Sequence, residues 1–136
     1  MCGIAGVIGK KNNSKEIALK MAADMTYRGP DDIGVFSYKN KISIAAVRLG
    51  FVDIKNNIQP MTSLDGRHSI VFNGEIYNYK KYRKKISKEF QYQFKSYGDT
   101  EVLLAMLMFY GEEALGKIEG IFSFCYFDSI KNKTII

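Results

Sequence analysis

Two rhythms of apolar and polar residues alternate along the chain. Residues 2–8 (CGIAGVI) are small and apolar, include β-branched Val7 and Ile8, and end at Gly9 before the polar run KKNNS; this predicts a buried strand and its exit loop. From Ser14, a plausible N-cap, Ile17, Ala18, Met21, Ala22 and Met25 recur at helical spacing until Arg28-Gly29-Pro30-Asp31 ends the helix. Ile33 to Tyr38 and Lys41 to Val47 read as two strands joined through Lys39-Asn40 as a hairpin. The stretch from Phe51 to Arg67 holds Asn56-Asn57, Gln59-Pro60 and Asp65-Gly66, so it reads mostly as loop. A strand follows from His68 to Phe72, its end interrupted by Asn73-Gly74.

Tyr79, Tyr82 and Ile86 then recur at three- and four-residue spacing in a basic helix, and Tyr92 to Phe94 reads as a short strand. Gly98-Asp99 opens a strongly apolar helix, Thr100 to Tyr110, that reads as buried on most sides and is closed by Gly111. A short helical segment, Glu112 to Lys117, precedes a strand from Ile121 to Phe127, the turn DSIKNK, and the start of a further strand at Thr134 to Ile136. A chain that stops inside an apolar strand is expected to be a C-terminally truncated fragment of something longer. Antiparallel hairpins at both ends, with helices grouped between them, predict α+β layers.

The 136 residues, 46% hydrophobic and 25% charged, fit one globular domain with a real core. The N-terminus lacks the pattern of a signal peptide and no run of about 18 apolar residues occurs. A soluble, cytoplasmic protein without a membrane partner is therefore expected. Two cysteines, Cys2 and Cys125, and a single histidine, His68, exclude the usual zinc spacings. They also force any nucleophile to find a base other than histidine, unless His68 serves. Of the 20 basic residues behind the net charge of +6, Lys80, Lys81, Arg83, Lys84, Lys85 and Lys88 belong to the basic helix. They read as a solvated face, with no nucleic-acid partner expected.

Cys2 has two readings. It is a small buried hydrophobe at a strand end, or, once Met1 is removed, a nucleophile whose own α-amine, with an ordinary pKa of about 7.7 to 8.0, is the base. Asn73-Gly74 offers a side-chain amide and a backbone N–H for an oxyanion, or equally a tight turn. Arg48 suits the carboxylate of an amino-acid substrate, or a structural ion pair. Asp99 or Glu75 suits its ammonium, although Asp99 is also placed to cap the helix after it.

Taken together, Met1-Cys2-Gly3-Ile4-Ala5-Gly6, Arg28-Gly29-Pro30-Asp31, Arg48-Leu49-Gly50-Phe51-Val52-Asp53, Gln59-Pro60-Met61, the run from Phe72 to Tyr79 (FNGEIYNY), the run from Gly98 to Leu104 (GDTEVLL) and Glu119-Gly120-Ile121-Phe122-Ser123-Phe124 are similar in order and spacing to the glutaminase domain of glutamine-hydrolysing asparagine synthetases. The likeness spans nearly the whole chain, residues 1–136. Tyr27 stands where that family commonly has His, Ala46 where it often has His, and Gly50-Phe51 where it has Ser-Ile.

The resemblance implies a class II glutamine amidotransferase with a four-layer αββα N-terminal nucleophile hydrolase fold, two stacked, mostly antiparallel sheets covered by helices. It implies that Cys2 attacks the glutamine side-chain amide through a thioester while Asn73 and Gly74 form the oxyanion hole. Arg48 then holds the α-carboxylate, Glu75 and Asp99 the α-ammonium, and the backbone of Leu49, Gly50, Phe51 and Val52 lines the site. Ammonia passes to a C-terminal synthetase domain, where ATP and magnesium activate aspartate; no cofactor or metal is expected in this part. Glutamine, that domain and a homodimer copy are the expected partners. A related amidotransferase serving another acceptor, such as a sugar or another carboxylate, and a catalytically silent glutamine-binding homologue are the alternatives.

Overall fold

The computed structural model describes residues 2–9, 12–50 and 56–136. The first sheet has the order β1 (Gly3–Ile8), β3 (Ile42–Arg48), β2 (Asp32–Tyr38), and the second the order β4 (Met61–Thr62), β5 (His68–Ile76), β6 (Gly120–Asp128), β7 (Lys133–Ile135). Every ladder between these strands is antiparallel. The helices are α1 (Ser14–Ala23), α2 (Tyr79–Phe90) and α3 (Asp99–Tyr110).

Central β3 reads as a nearly continuous apolar run because it is covered on both faces. Ile42, Ile44 and Ala46 pack toward Val71 and Phe127 of the second sheet, whereas Ala45 and Val47 pack with Ala18 and Ala22 of α1. On the far side, Ile70, Phe72, Phe124 and Tyr126 meet α2 and α3 through Tyr82, Ile86, Leu103 and Met106. The result is four layers, α1, sheet, sheet and the α2/α3 pair, in agreement with the expected αββα arrangement. Lys39 and Asn40 both have positive φ, 44° and 53°, the backbone a tight two-residue hairpin requires.

Several boundaries differ from the sequence expectation. Ser14 is not the cap of α1: Asn13 holds that position, and the buried Ser14 hydroxyl lies 2.9 Å from that of Ser43. The helix closes at Ala23, and turns lead from it to Arg28. Asn73-Gly74 does not interrupt β5, which runs on to Ile76. The helical segment expected over Glu112 to Lys117 is a single 3-10 turn, Gly111–Ala114.

Tyr92 to Phe94 is not a strand, and just beyond it the backbone is tied to a buried carboxylate. Glu101 of α3, only 4% exposed, accepts the backbone N–H groups of Lys95 (3.0 Å) and Ser96 (2.6 Å). It therefore satisfies main-chain donors in a segment that has no neighbouring strand. Arg83 is likewise no part of a solvated face: its guanidinium stacks on Phe94 at 4.4 Å and donates to the Ser96 carbonyl.

At the end of the second sheet opposite Asn73-Gly74, Arg67 forks onto Asp128 (3.0 and 2.7 Å), and His68 Nδ1 lies 2.6 Å from the Tyr126 hydroxyl. Burial pushes the His68 pKa down, partly offset by Asp128. The folded chain therefore holds His68 neutral where the unfolded chain, with the ordinary value near 6.5, takes up a proton. The hydrogen bond from Arg67 holds the Asp128 carboxyl well below the usual range, so its loss comes only in stronger acid. Stability to urea should fall as pH drops from about 7 to about 5, and His68→Gln should flatten this slope. An unchanged slope in that variant would remove His68 as the cause.

Candidate active site

The β1–β3 register, continued one step beyond its Gly3–Val47 pair, sets Cys2 beside Arg48. By strand alternation both share the face of Ile4, Ile44 and Ala46 that turns toward the second sheet. Arg48 is 5% exposed. The backbone beneath it is fixed by the Arg28–Asp31 segment, which does more than end a helix.

Asp31 N–H donates to the Arg48 carbonyl (3.0 Å), and the Asp31 carboxylate accepts the N–H of Gly50 (2.9 Å). Arg28 Nε donates to the Cys2 carbonyl (3.2 Å). Between them, Gly29 lies so close to β3 that a Cβ on it would be 2.6 Å from the backbone C and N of Arg48. No side chain fits there without moving one of the two segments. One four-residue segment thus ties down Cys2, Arg48 and Gly50 together.

From the second sheet come Phe72 and Gly74. Gly74 has φ +148°, and a Cβ there would meet the Ile121 carbonyl at 2.2 Å and Phe122 Cα at 2.4 Å. Close approach to β6 therefore requires glycine, and the Asn-Gly pair serves a strand here and not a turn. From α3 comes Asp99, which is the first residue of the helix after the cap Gly98 and not the cap itself. Its Oδ2 accepts the Ile76 N–H at 2.9 Å, joining the helix start to β5. Burial pushes the Asp99 pKa up, with the neighbouring Glu75 charge adding to the shift, although three backbone hydrogen bonds oppose it.

These elements converge on one pocket of about 160 Å³, walled by Cys2, Arg48, Leu49, Gly50, Gly74 and Asp99, with Asn57, Gln59, Phe72 and Thr100 completing it. Six of the sequence candidates are thereby brought together. Asn73 and Glu75 flank Gly74 on β5, Asn73 half-buried and Glu75 exposed. Strand alternation gives Asn73 the face of Val71, the one turned toward the first sheet. Phe51 and Val52 lie outside the described residues.

Asn57, Gln59, Phe72 and Thr100 were not among the sequence candidates. Gln59 is buried and its Oε1 accepts the Phe72 N–H at 2.6 Å, fixing the 56–60 segment to β5. The Gln59-Pro60-Met61 block was the one available signal for it. Cys125, by contrast, packs between the sheets, where burial pushes its thiol up to about 11.

A cysteine, a buried guanidinium, a strand glycine and a carboxylate thus stand around one small cavity. Over residues 1–136 the chain matches the glutamine amidotransferase domain family, and it belongs to that family. It is 36% identical over 139 residues to asparagine synthetase B [glutamine-hydrolyzing] of Escherichia coli (strain K12), covering 100% of this chain and 24% of that protein. It is 37% identical over 129 residues to asparagine synthetase [glutamine-hydrolyzing] 1 of Bacillus subtilis (strain 168), covering 91% of this chain and 20% of that protein. The chain thus spans 24% and 20% of the length of these two relatives. In fold it is similar to the glutamine phosphoribosylpyrophosphate amidotransferase of B. subtilis complexed with ADP and GMP, with a TM-score of 0.79 at 18% identity, covering 94% of this chain and 35% of that one.

Gly29→Ala tests the clamp on Arg48. The added methyl should cost about 1–3 kcal/mol of stability, the usual range for overpacking, and should expose the Gly50 amide to hydrogen exchange. Wild-type urea stability with a protected Gly50 amide would show that the segment is not held as described.

Proposed function

We propose that this domain hydrolyses the side-chain amide of glutamine with Cys2 as nucleophile. Support comes above all from the gathering of Cys2, Arg48, Gly74 and Asp99, which come from distant parts of the chain, around one small pocket. Arg48 forks onto the α-carboxylate and Asp99, with Glu75, accepts from the α-ammonium, which leaves the side-chain amide to reach Cys2.

With Met1 removed, the free α-amine of Cys2 takes the thiol proton, and Sγ attacks the amide carbon. The oxyanion that forms is met by the Gly74 N–H and the Asn73 side-chain amide. Collapse breaks the C–N bond; the nitrogen leaves as ammonia with the proton returned by the α-ammonium, and a thioester remains. Water, giving its proton to the same amine, then attacks the thioester to release glutamate and restore the thiol. Ionised Asp99 is needed to hold the ammonium. Because burial raises its pKa, glutamine affinity falls on acidification earlier than an ordinary carboxylate predicts.

The relatives' names favour asparagine synthesis as the use of the ammonia. Activation of aspartate by ATP and magnesium is proposed for the synthetase part of the longer protein, and no step above runs through it.

Intact mass before and after a glutamine-mimicking electrophile is the test. We expect a chain lacking Met1 to gain one adduct, protected by excess glutamine and absent in Cys2→Ala, with ammonia release abolished in that variant. Undiminished ammonia release from folded Cys2→Ala would end this reading.

A further inference from the structure

Asn57 lines the pocket yet has no task in the chemistry above. It lies against Gly98, the residue immediately before Asp99. A Cβ built on Gly98 would stand 2.8 Å from Asn57 Nδ2, 3.0 Å from Cγ and 3.1 Å from Oδ1. Those near-equal distances mean that the amide lies broadside over the start of α3. Glycine at 98 is what leaves room for it. Asn57 Oδ1 is buried and has no hydrogen-bond partner among the described residues. An acceptor left in that state is costly, and a ligand that brings a donor relieves the cost.

We propose that the Asn57 side chain is a specificity-determining acceptor for the α-ammonium of the amino-acid substrate, acting beside Asp99. The inference rests on the glutaminase reading and deepens it. An α-ammonium has three N–H donors to place, as a lysine head group does. Asp99 already commits Oδ2 to the Ile76 N–H, and Glu75 is exposed. A third acceptor is therefore wanted on the helix side of the pocket. A neutral amide supplies it without adding a third negative charge next to Asp99 and Glu75, whose mutual repulsion already disfavours ionisation of Asp99. Asn57 thereby favours α-amino acids over the same amides lacking the amino group.

Dissociation constants for L-glutamine and for glutaramate, its analogue without the α-amino group, test this by calorimetry at pH 8 on Cys2→Ala protein, which does not turn substrate over. Adding Asn57→Leu should weaken L-glutamine about tenfold, the effect of one hydrogen bond to a charged group, and leave glutaramate unchanged. Asn57→Ser, which keeps a neutral acceptor near the same position, should lose less L-glutamine affinity than Asn57→Leu. Equal weakening of both ligands by Asn57→Leu, no weakening of either, or L-glutamine affinity in Asn57→Ser no better than in Asn57→Leu would overturn the inference while leaving the glutaminase reading standing. A Cys2→Ala parent that does not bind L-glutamine at all would overturn both.

Discussion

The close approach of the Arg28–Asp31 segment to the end of β3 is the constraint on which the site depends. Without a side chain at Gly29, the two backbones can lie near enough for Asp31 to bond the Arg48 carbonyl and the Gly50 N–H at once. Because Arg28 reaches the Cys2 carbonyl from the same segment, Cys2 and Arg48 are set by one local geometry. A buried arginine is expensive to place, and here its backbone is held from both sides before any ligand arrives.

The second half of the pocket is fixed by polar side chains bonding to backbone across layers. Gln59 accepts from Phe72, Asp99 from Ile76, and Glu101 from Lys95 and Ser96. Each joins a loop or helix start to a neighbouring segment at a buried or half-buried position, where an unmet donor is costly. Together with the β5–β6 ladder, which passes through Gly74, they bring α3 to the edge of a pocket whose other wall belongs to the first sheet. Such preorganisation suits the proposed reaction, which needs a carboxylate, an ammonium and an amide carbon placed at the same time.

Periodicity made the layers legible. The hairpin at Lys39-Asn40, the strand that became β3 and the buried α3 follow from the apolar pattern, and Cys2, Arg48, Gly74 and Asp99 were candidates on chemistry alone. What local pattern could not supply was the effect of neighbours distant in sequence. Asn73-Gly74 has the wording of a turn, yet β6 keeps it extended. Arg28–Asp31 has the wording of a helix stop, and its bonds to Cys2, Arg48 and Gly50 span seventeen or more positions. Ser14 has the wording of a cap but is buried against Ser43. Asn57 sits in a run of loop residues, and only the proximity of Gly98 gives it a place in the pocket.

On the proposed reading, one pocket orients glutamine with its side-chain amide at Cys2. A crystal structure of Cys2→Ala protein with L-glutamine tests it most directly. The α-carboxylate is expected on Arg48, the α-ammonium at Asp99, and the amide carbon beside position 2 with its oxygen toward Gly74. Glutamine bound elsewhere, or bound here with its amide turned away from position 2, would contradict it.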